Sequence, residues 1–214
     1  MKLYLKQIEL GPLQNFVYLI GCLETREAAV VDPGWDAGAI LNAAEQDEMR
    51  IKKVLVTHTH FDHINAVGEI IKATDSQVFL HKKELSDIPV AKSSLEGFEG
   101  GAEVTVGNLT VSILHTPGHT PGSVCFTVAD KLISGDTLFI GGCGRCDLPG
   151  GDPELMYKSL TRLKAMDDQL VLYPGHNYAP EQSAPLGKEK GRNPFLAAPT
   201  QEAFLNRVGG IKRK

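Results

Sequence analysis

"VTHTHFDHINA" occupies positions 56–66, and three of the chain's seven histidines and one aspartate fall within six positions of it. The apolar run "KKVLVT" (52–57) leads straight into it. That run predicts a short strand covered on both faces. Where such a strand ends the chain is still extended, and side chains two apart point the same way. His58 and His60 therefore aim at one point. Asp62 and His63 follow as the chain turns into the helix predicted over 65–73, and aim at a neighbouring point. Imidazole and carboxylate are natural ligands for zinc, iron or manganese. The plain alternative is a set of unrelated surface histidines, but three of them with an aspartate at this spacing argue against it.

Three further segments repeat the placement of a ligand just after an apolar run. "TPGHTPGS" (116–123) sets His119 between two Pro-Gly turns, "ISGDTLF" (133–139) sets Asp136 after a strand, and "YPGHNY" (173–178) sets His176 in the same Pro-Gly-His pattern. A loose carboxylate beside apolar strands would be costly to desolvate, and loops at strand ends are where a rigid sheet presents reactive groups. The inventory suffices for two divalent metals, zinc first, with iron or manganese as alternatives. One takes His58, His60 and His119; the other takes Asp62, His63 and His176; Asp136, with two oxygens, can bridge. Asp62 and Asp136 are assigned catalytic as well as ligand roles. Each metal keeps room for water, as catalytic sites do. A hydroxide held between the metals is a strong nucleophile near neutral pH, and the metals polarise a carbonyl.

Further strands are predicted at 15–21, 27–34, 76–81 and 169–176. Hairpins are predicted at 102–118, around the Gly107-Asn108 turn, and at 123–136. Helices are predicted at 36–49 with Asp36 as N-cap, at 152–166 with Asp152 as N-cap and Pro153 in the first turn, and at 200–208. A polar loop follows His81, and 177–199 reads as an irregular, Pro-rich excursion. The pattern is a mixed α/β (α+β) fold with a layered core, taken as one domain over 1–214.

The 214 residues are 42% hydrophobic and 22% charged, with net charge −4. This balance lacks the basic face of a nucleic-acid binder, and the basic end "IKRK" reads as a solvated tail. No signal-peptide core and no apolar run of about 20 residues is present, so a cytoplasmic location with no membrane partner is expected. The lone Cys143-x-x-Cys146 pair reads as ordinary reduced thiols. Asp32, in "VVDPG", reads as a turn residue bonding local amides. His81 reads as structural or surface, His115 as packing at a strand end, and Trp35 and Phe139 as packing or pocket-wall residues.

The ligand segments together, T-H-x-H-x-D-H at 57–63 followed by His119, Asp136 and His176, resemble the metallo-β-lactamase superfamily. The resemblance implies a four-layer αββα sandwich with its metals at one edge of the two sheets. The classical lactamases have a cysteine where Asp136 stands, so antibiotic cleavage is not the expected activity. "GDTLFIGGCGR" (135–145), "GHNYA" (175–179) and "EKGRNPFL" (189–196) resemble glyoxalase II, which hydrolyses S-2-hydroxyacylglutathione thioesters. That likeness implies a small-molecule thioester substrate, glutathione-linked in the family, with Tyr178 beside a glutathione backbone and Arg145 as a cationic substrate contact. Two departures stand out. Larger members carry a C-terminal helical domain, whereas roughly twenty residues follow "NPFL" here. Asp147 in "GRCDLPGG" makes an Arg-x-Asp loop also seen in persulfide dioxygenases of the same fold, whose single Fe(II) would by resemblance sit on His58, His119 and Asp136.

Overall fold

The computed structural model describes residues 2–88 and 90–209, so the basic tail at 211–214 lies outside the described residues. In chain order the strands are β1 (Leu3–Leu10), β2 (Asn15–Cys22), β3 (Glu27–Val31), β4 (Arg50–Leu55), β5 (Gln77–His81), β6 (Leu95–Phe98), β7 (Glu103–Val106), β8 (Leu109–His115), β9 (Val124–Val128), β10 (Lys131–Gly135), β11 (Leu138–Phe139), β12 (Gly142–Cys143), β13 (Val171–Pro174) and β14 (Ala184–Pro185). The helices are α1 (Ala37–Gln46), α2 (Phe61–Ile64), α3 (Val67–Thr74), α4 (Pro153–Lys164), α5 (Leu186–Arg192) and α6 (Gln201–Gly209).

Among these residues the strands form two six-stranded sheets, ordered β1-β2-β3-β4-β5-β6 and β14-β13-β10-β9-β8-β7, plus a small β11-β12 ribbon. Strand β2 shows why they stack. It is buried along its whole length, as an apolar strand covered on both faces must be. Its alternate residues Phe16, Tyr18, Ile20 and Cys22 meet Val111, Ile113 and Phe126 of the second sheet. The intervening Val17 and Leu19 pack under Ile40 and Ala44 of α1 and Val67 and Ile70 of α3. On the far side, Leu132 and Leu172 of the second sheet pack under Met156, Leu160 and Leu163 of α4 and Phe204 of α6. Helix, sheet, sheet and helix are thus four layers, the expected αββα order.

The caps behave as residue chemistry requires. Asp36 accepts the Ala39 amide at 2.8 Å. Asp152 accepts the Glu154 and Leu155 amides at 2.9 Å, and Pro153 sits where a missing N–H costs nothing. Four elements in three stretches escape the periodic reading. Leu3–Leu10, unassigned from the sequence, pairs antiparallel with the whole of β2. β6 lies inside the expected polar loop and is an edge strand beside β5. The expected irregular stretch 177–199 contains β14 and α5. Helix α5 lacks an apolar stripe of its own and is held by docking Leu186 and Glu189, both buried. None of the described helices is long and apolar enough to cross a membrane.

Parallel pairing places strand ends together. β3 and β4 run parallel, as do β10 and β13, so Asp32, Thr57, Asp136 and His176 all emerge at one edge. The edge is stitched across the sheets. The Val124 amide donates to Thr57 O at 2.9 Å and the Phe16 amide to Gly175 O at 2.8 Å. The Tyr18 hydroxyl donates to Pro174 O at 2.5 Å.

Candidate metal centre

The chain leaves β4 extended through His60 (φ −61°, ψ 142°) and enters α2 at Phe61. His58 and His60 accordingly turn to one side, with His58 Nε2 3.1 Å from His60 Nδ1. The Pro-Gly turns after β8 bring His119 to the same point, its ring centroid 4.8 Å from that of His58 and 4.5 Å from that of His60. The short α2 swings Asp62 and His63 to a second point, where His63 Nε2 is 3.2 Å from His176 Nε2. Asp62 Oδ2 lies 3.6 Å from His63 Nε2 and 3.5 Å from His176 Nε2. Each trio, His58–His60–His119 and Asp62–His63–His176, has its ligand atoms within 4.8 Å of one another. Asp136 lies between them. One oxygen is 3.4 Å from His63, and the other is 3.4 Å from both His119 and His176. Gly175 permits this approach: a Cβ there would fall 2.3 Å from Asp136 Oδ1.

The outward nitrogens are anchored. His119 Nδ1 donates to Arg145 O at 2.7 Å, His176 Nδ1 to Leu13 O at 2.9 Å, and His63 Nδ1 to Asp32 Oδ2 at 3.1 Å. The Thr57 hydroxyl gives its hydrogen to Asp32 at 2.6 Å and so accepts from His58 Nδ1 at 3.0 Å. These assignments follow from the hydrogen-bond network. They leave Nε2 of His58, His63, His119 and His176 without hydrogen and facing inward. The His63 and His176 lone pairs then oppose one another at 3.2 Å, a repulsive arrangement unless a cation lies between. His119 Nε2 and Asp136 Oδ1 are buried with no hydrogen-bond partner among the described residues. Imidazoles with one nitrogen anchored and the other bare are what metal ligation requires, and the residues fit two divalent cations.

The electrostatics agree. Burial lowers the pKa of His58 and of His60, and neighbouring imidazoles add to the effect, so both stay neutral. Burial acts the same way on His63, but Asp136 and Asp32 outweigh it and hold His63 well above its ordinary value. Burial would raise Asp136, yet His63 and His176 hold it well below the usual carboxylate range. The cluster favours positive charge beside Asp136. A divalent cation supplies it and leaves His63 neutral.

Several supporting residues were not evident from spacing. Asp32 closes β3 at a bend, with φ 50°, but its carboxylate does not serve local amides. Buried behind the site, it accepts from the Thr57 amide at 2.7 Å, from the Thr57 hydroxyl and from His63. Its partners are 25 and 31 residues away, which turn chemistry does not foresee. Asn15 Nδ2 donates to Asp62 Oδ2 at 2.7 Å, and Trp35 Nε1 donates to Asn15 Oδ1 at 2.7 Å. The available signal was a polar residue heading a wholly apolar strand. Asn193 Nδ2 donates to Phe139 O and Gly142 O at 2.9 Å, and Glu189 accepts the Gly141 amide at 2.7 Å. The segment 189–196 thus buttresses the ribbon that carries Arg145 O to His119.

The two expected substrate contacts lie at the rim. The Arg145 side chain is 62% exposed and pairs with Asp147 through two 2.9 Å bonds. The Tyr178 ring stacks on His176 at 4.7 Å and 8°. Burial, Asp136 and Asp62 push its phenol up to about 12, so it stays protonated and can donate. His81 is buried, not at the surface, and stacks on His115 at 4.1 Å, apart from the seven residues. Trp35 meets Phe61 edge-on at 6.1 Å. Cys143 and Cys146 are free thiols.

The sequence profile of the metallo-beta-lactamase superfamily matches residues 10–176. The probable polyketide biosynthesis zinc-dependent hydrolase PksB of Bacillus subtilis (strain 168) is 34% identical over 192 residues, covering 89% of this chain and 85% of that one. A hydroxyacylglutathione hydrolase of Pseudomonas entomophila (strain L48) is 39% identical over 168 residues, covering 77% of this chain and 62% of its own length. The crystal structure of ETHE1 from Myxococcus xanthus superposes with TM-score 0.90 at 30% identity, covering 99% of this chain and 92% of that one.

Proposed function

This chain belongs to the metallo-β-lactamase superfamily, and from that premise we propose that it is a metal-dependent thioester hydrolase of glyoxalase II type acting on small cytoplasmic substrates. The observation that carries the reading is the set of inward-facing bare nitrogens of His58, His63, His119 and His176, each ring anchored from behind, around the mostly buried Asp136 carboxylate. His58, His60 and His119 would hold one divalent metal, and Asp62, His63 and His176 the other, with Asp136 between. Zinc comes first, with iron or manganese as alternatives; the similarity to a zinc-dependent hydrolase supports that order. When bound, such metals supply an activated water and polarise the substrate carbonyl. The protein's own residues orient and position. Asn15 keeps one Asp62 oxygen directed at the second trio, and Tyr178, protonated, offers a hydrogen bond at the rim.

The Arg145–Asp147 pair favours a second reading, a mononuclear iron dioxygenase acting on glutathione persulfide, with iron on His58, His119 and Asp136. The two readings separate by measurement. The hydrolase predicts about two metals per chain and cleavage of S-2-hydroxyacylglutathione under anaerobic conditions. One iron per chain, oxygen uptake with glutathione persulfide and no thioester cleavage would establish the dioxygenase instead.

A carrier contact remote from the reacting carbonyl acts in ground and transition state alike. Arg145→Ala should therefore raise KM, by roughly tenfold, about 1.4 kcal/mol, with kcat little changed. The backbone carbonyl that anchors His119 survives that substitution. A fall in kcat with KM unchanged would rule out the carrier role.

A further inference from the structure

Glu84 is a buried carboxylate, 3% exposed, that the proposed chemistry does not use. It sits in the single turn Lys82–Glu84 after β5, and no lysine or arginine pairs with it among the described residues. Its charge is met by four donors. Oε2 accepts from the Thr59 amide at 3.1 Å and from the Thr59 hydroxyl. Oε1 accepts from the Thr120 hydroxyl at 2.7 Å and the Gly122 amide at 2.8 Å. The carboxylate is packed hard against the second loop, where a Cβ on Gly122 would fall 2.5 Å from Glu84 Cγ.

The positions of the donors matter. Thr59 stands between His58 and His60 in extended chain, so a Thr59 side chain fixed towards Glu84 turns both imidazoles the other way. Thr120 follows His119 directly. One oxygen therefore takes the loop of His58 and His60, and the other takes the loop of His119. Charge-assisted hydrogen bonds of this kind are short and directional. From this juxtaposition we infer that Glu84 is a positioning residue that holds the two loops of the His58–His60–His119 trio at metal-binding separation. The inference rests on the two-metal reading of the site. Asp32 and Asn15 bond directly to the other trio, and Thr57 links Asp32 to His58; the hydrogen bonds of Glu84 go to the two loops of the first trio.

Co(II) titration of the metal-free protein, followed by visible absorption, tests this one trio at a time. In an Asp62→Ala background, which cripples the second trio, adding Glu84→Gln should weaken Co(II) binding roughly 10- to 100-fold, the range seen when partners of metal ligands are removed. The amide nitrogen must face donors that the carboxylate accepts. Glu84→Asp, charged but shorter, should fall between. In a His60→Ala background, which cripples the first trio, Glu84→Gln should change Co(II) affinity by less than about twofold. Thr120→Val removes one donor, leaves the carboxylate, and should weaken the first trio alone; it decides the matter if Glu84→Gln does not fold. Unchanged affinity at the first trio would overturn the inference. So would equal losses at both trios with a matching fall in thermal midpoint, since that is general support rather than positioning. Absence of Co(II) binding in both backgrounds with Glu84 intact would instead bring down the two-metal reading, and this inference with it.

Discussion

Asp136→Ala should lower kcat/KM by on the order of a thousandfold, about 4 kcal/mol in the barrier, and reduce metal content from about two per chain towards one. The side chain lies 3.4 Å from His63, His119 and His176 and so reaches both trios. Without it no carboxylate lies between the two trios, so the cost falls on metal retention and not on substrate affinity alone. The loss should appear in kcat as well as kcat/KM, as for an interaction realised in the transition state. Metal analysis beside steady-state kinetics checks it. A variant with full metal and near-normal turnover would mean that Asp136 is no bridge.

The second large effect is expected at Asp32. Asp32→Ala removes the acceptor of the Thr57 amide, the Thr57 hydroxyl and His63 Nδ1. Leaving buried donors unpaired costs about 1–3 kcal/mol each, and a total near 4 kcal/mol should lower the thermal midpoint by roughly 8–16 °C in a chain of this size. Asp32→Asn keeps the shape and alters the chemistry. With its amide nitrogen towards His63 it donates to Nδ1 and moves the imidazole hydrogen onto Nε2, the atom facing His176. That variant should stay close to the wild-type midpoint while its second trio binds metal roughly 10- to 100-fold more weakly. Differential scanning calorimetry and chelator competition separate the two outcomes. Wild-type metal affinity in both variants would show that Asp32 is a turn residue after all.

These two aspartates mark how far the sequence could be read. Asp136, His58, His60, Asp62, His63, His119 and His176 were legible because each lies in the short segment that follows an apolar strand. Position after a strand is a local property, and alternation along extended chain orients neighbours without any knowledge of the partner strand. The strand pattern led only to a mixed α/β layered core; the αββα order followed from the resemblance that the ligands carry. β2 with its double-sided burial and α1 and α4 with their aspartate caps formed as their own residues dictate. Asp32, Asn15 and Glu84 were not legible. Asp32 looked like a turn residue because its three donors arrive from another strand and from α2, and Glu84 lay in what read as a polar loop. β1, β6 and α5 were hidden likewise: their side chains carry little periodic signal, and they exist because a neighbouring strand or a buried contact completes their hydrogen bonds. The sequence by itself determined which side chains can hold metal and where along the chain they occur. Tertiary structure alone decided which way each imidazole hydrogen points, because that depends on an acceptor brought in from elsewhere in the fold: Asp32 for His63, Arg145 O for His119 and Leu13 O for His176.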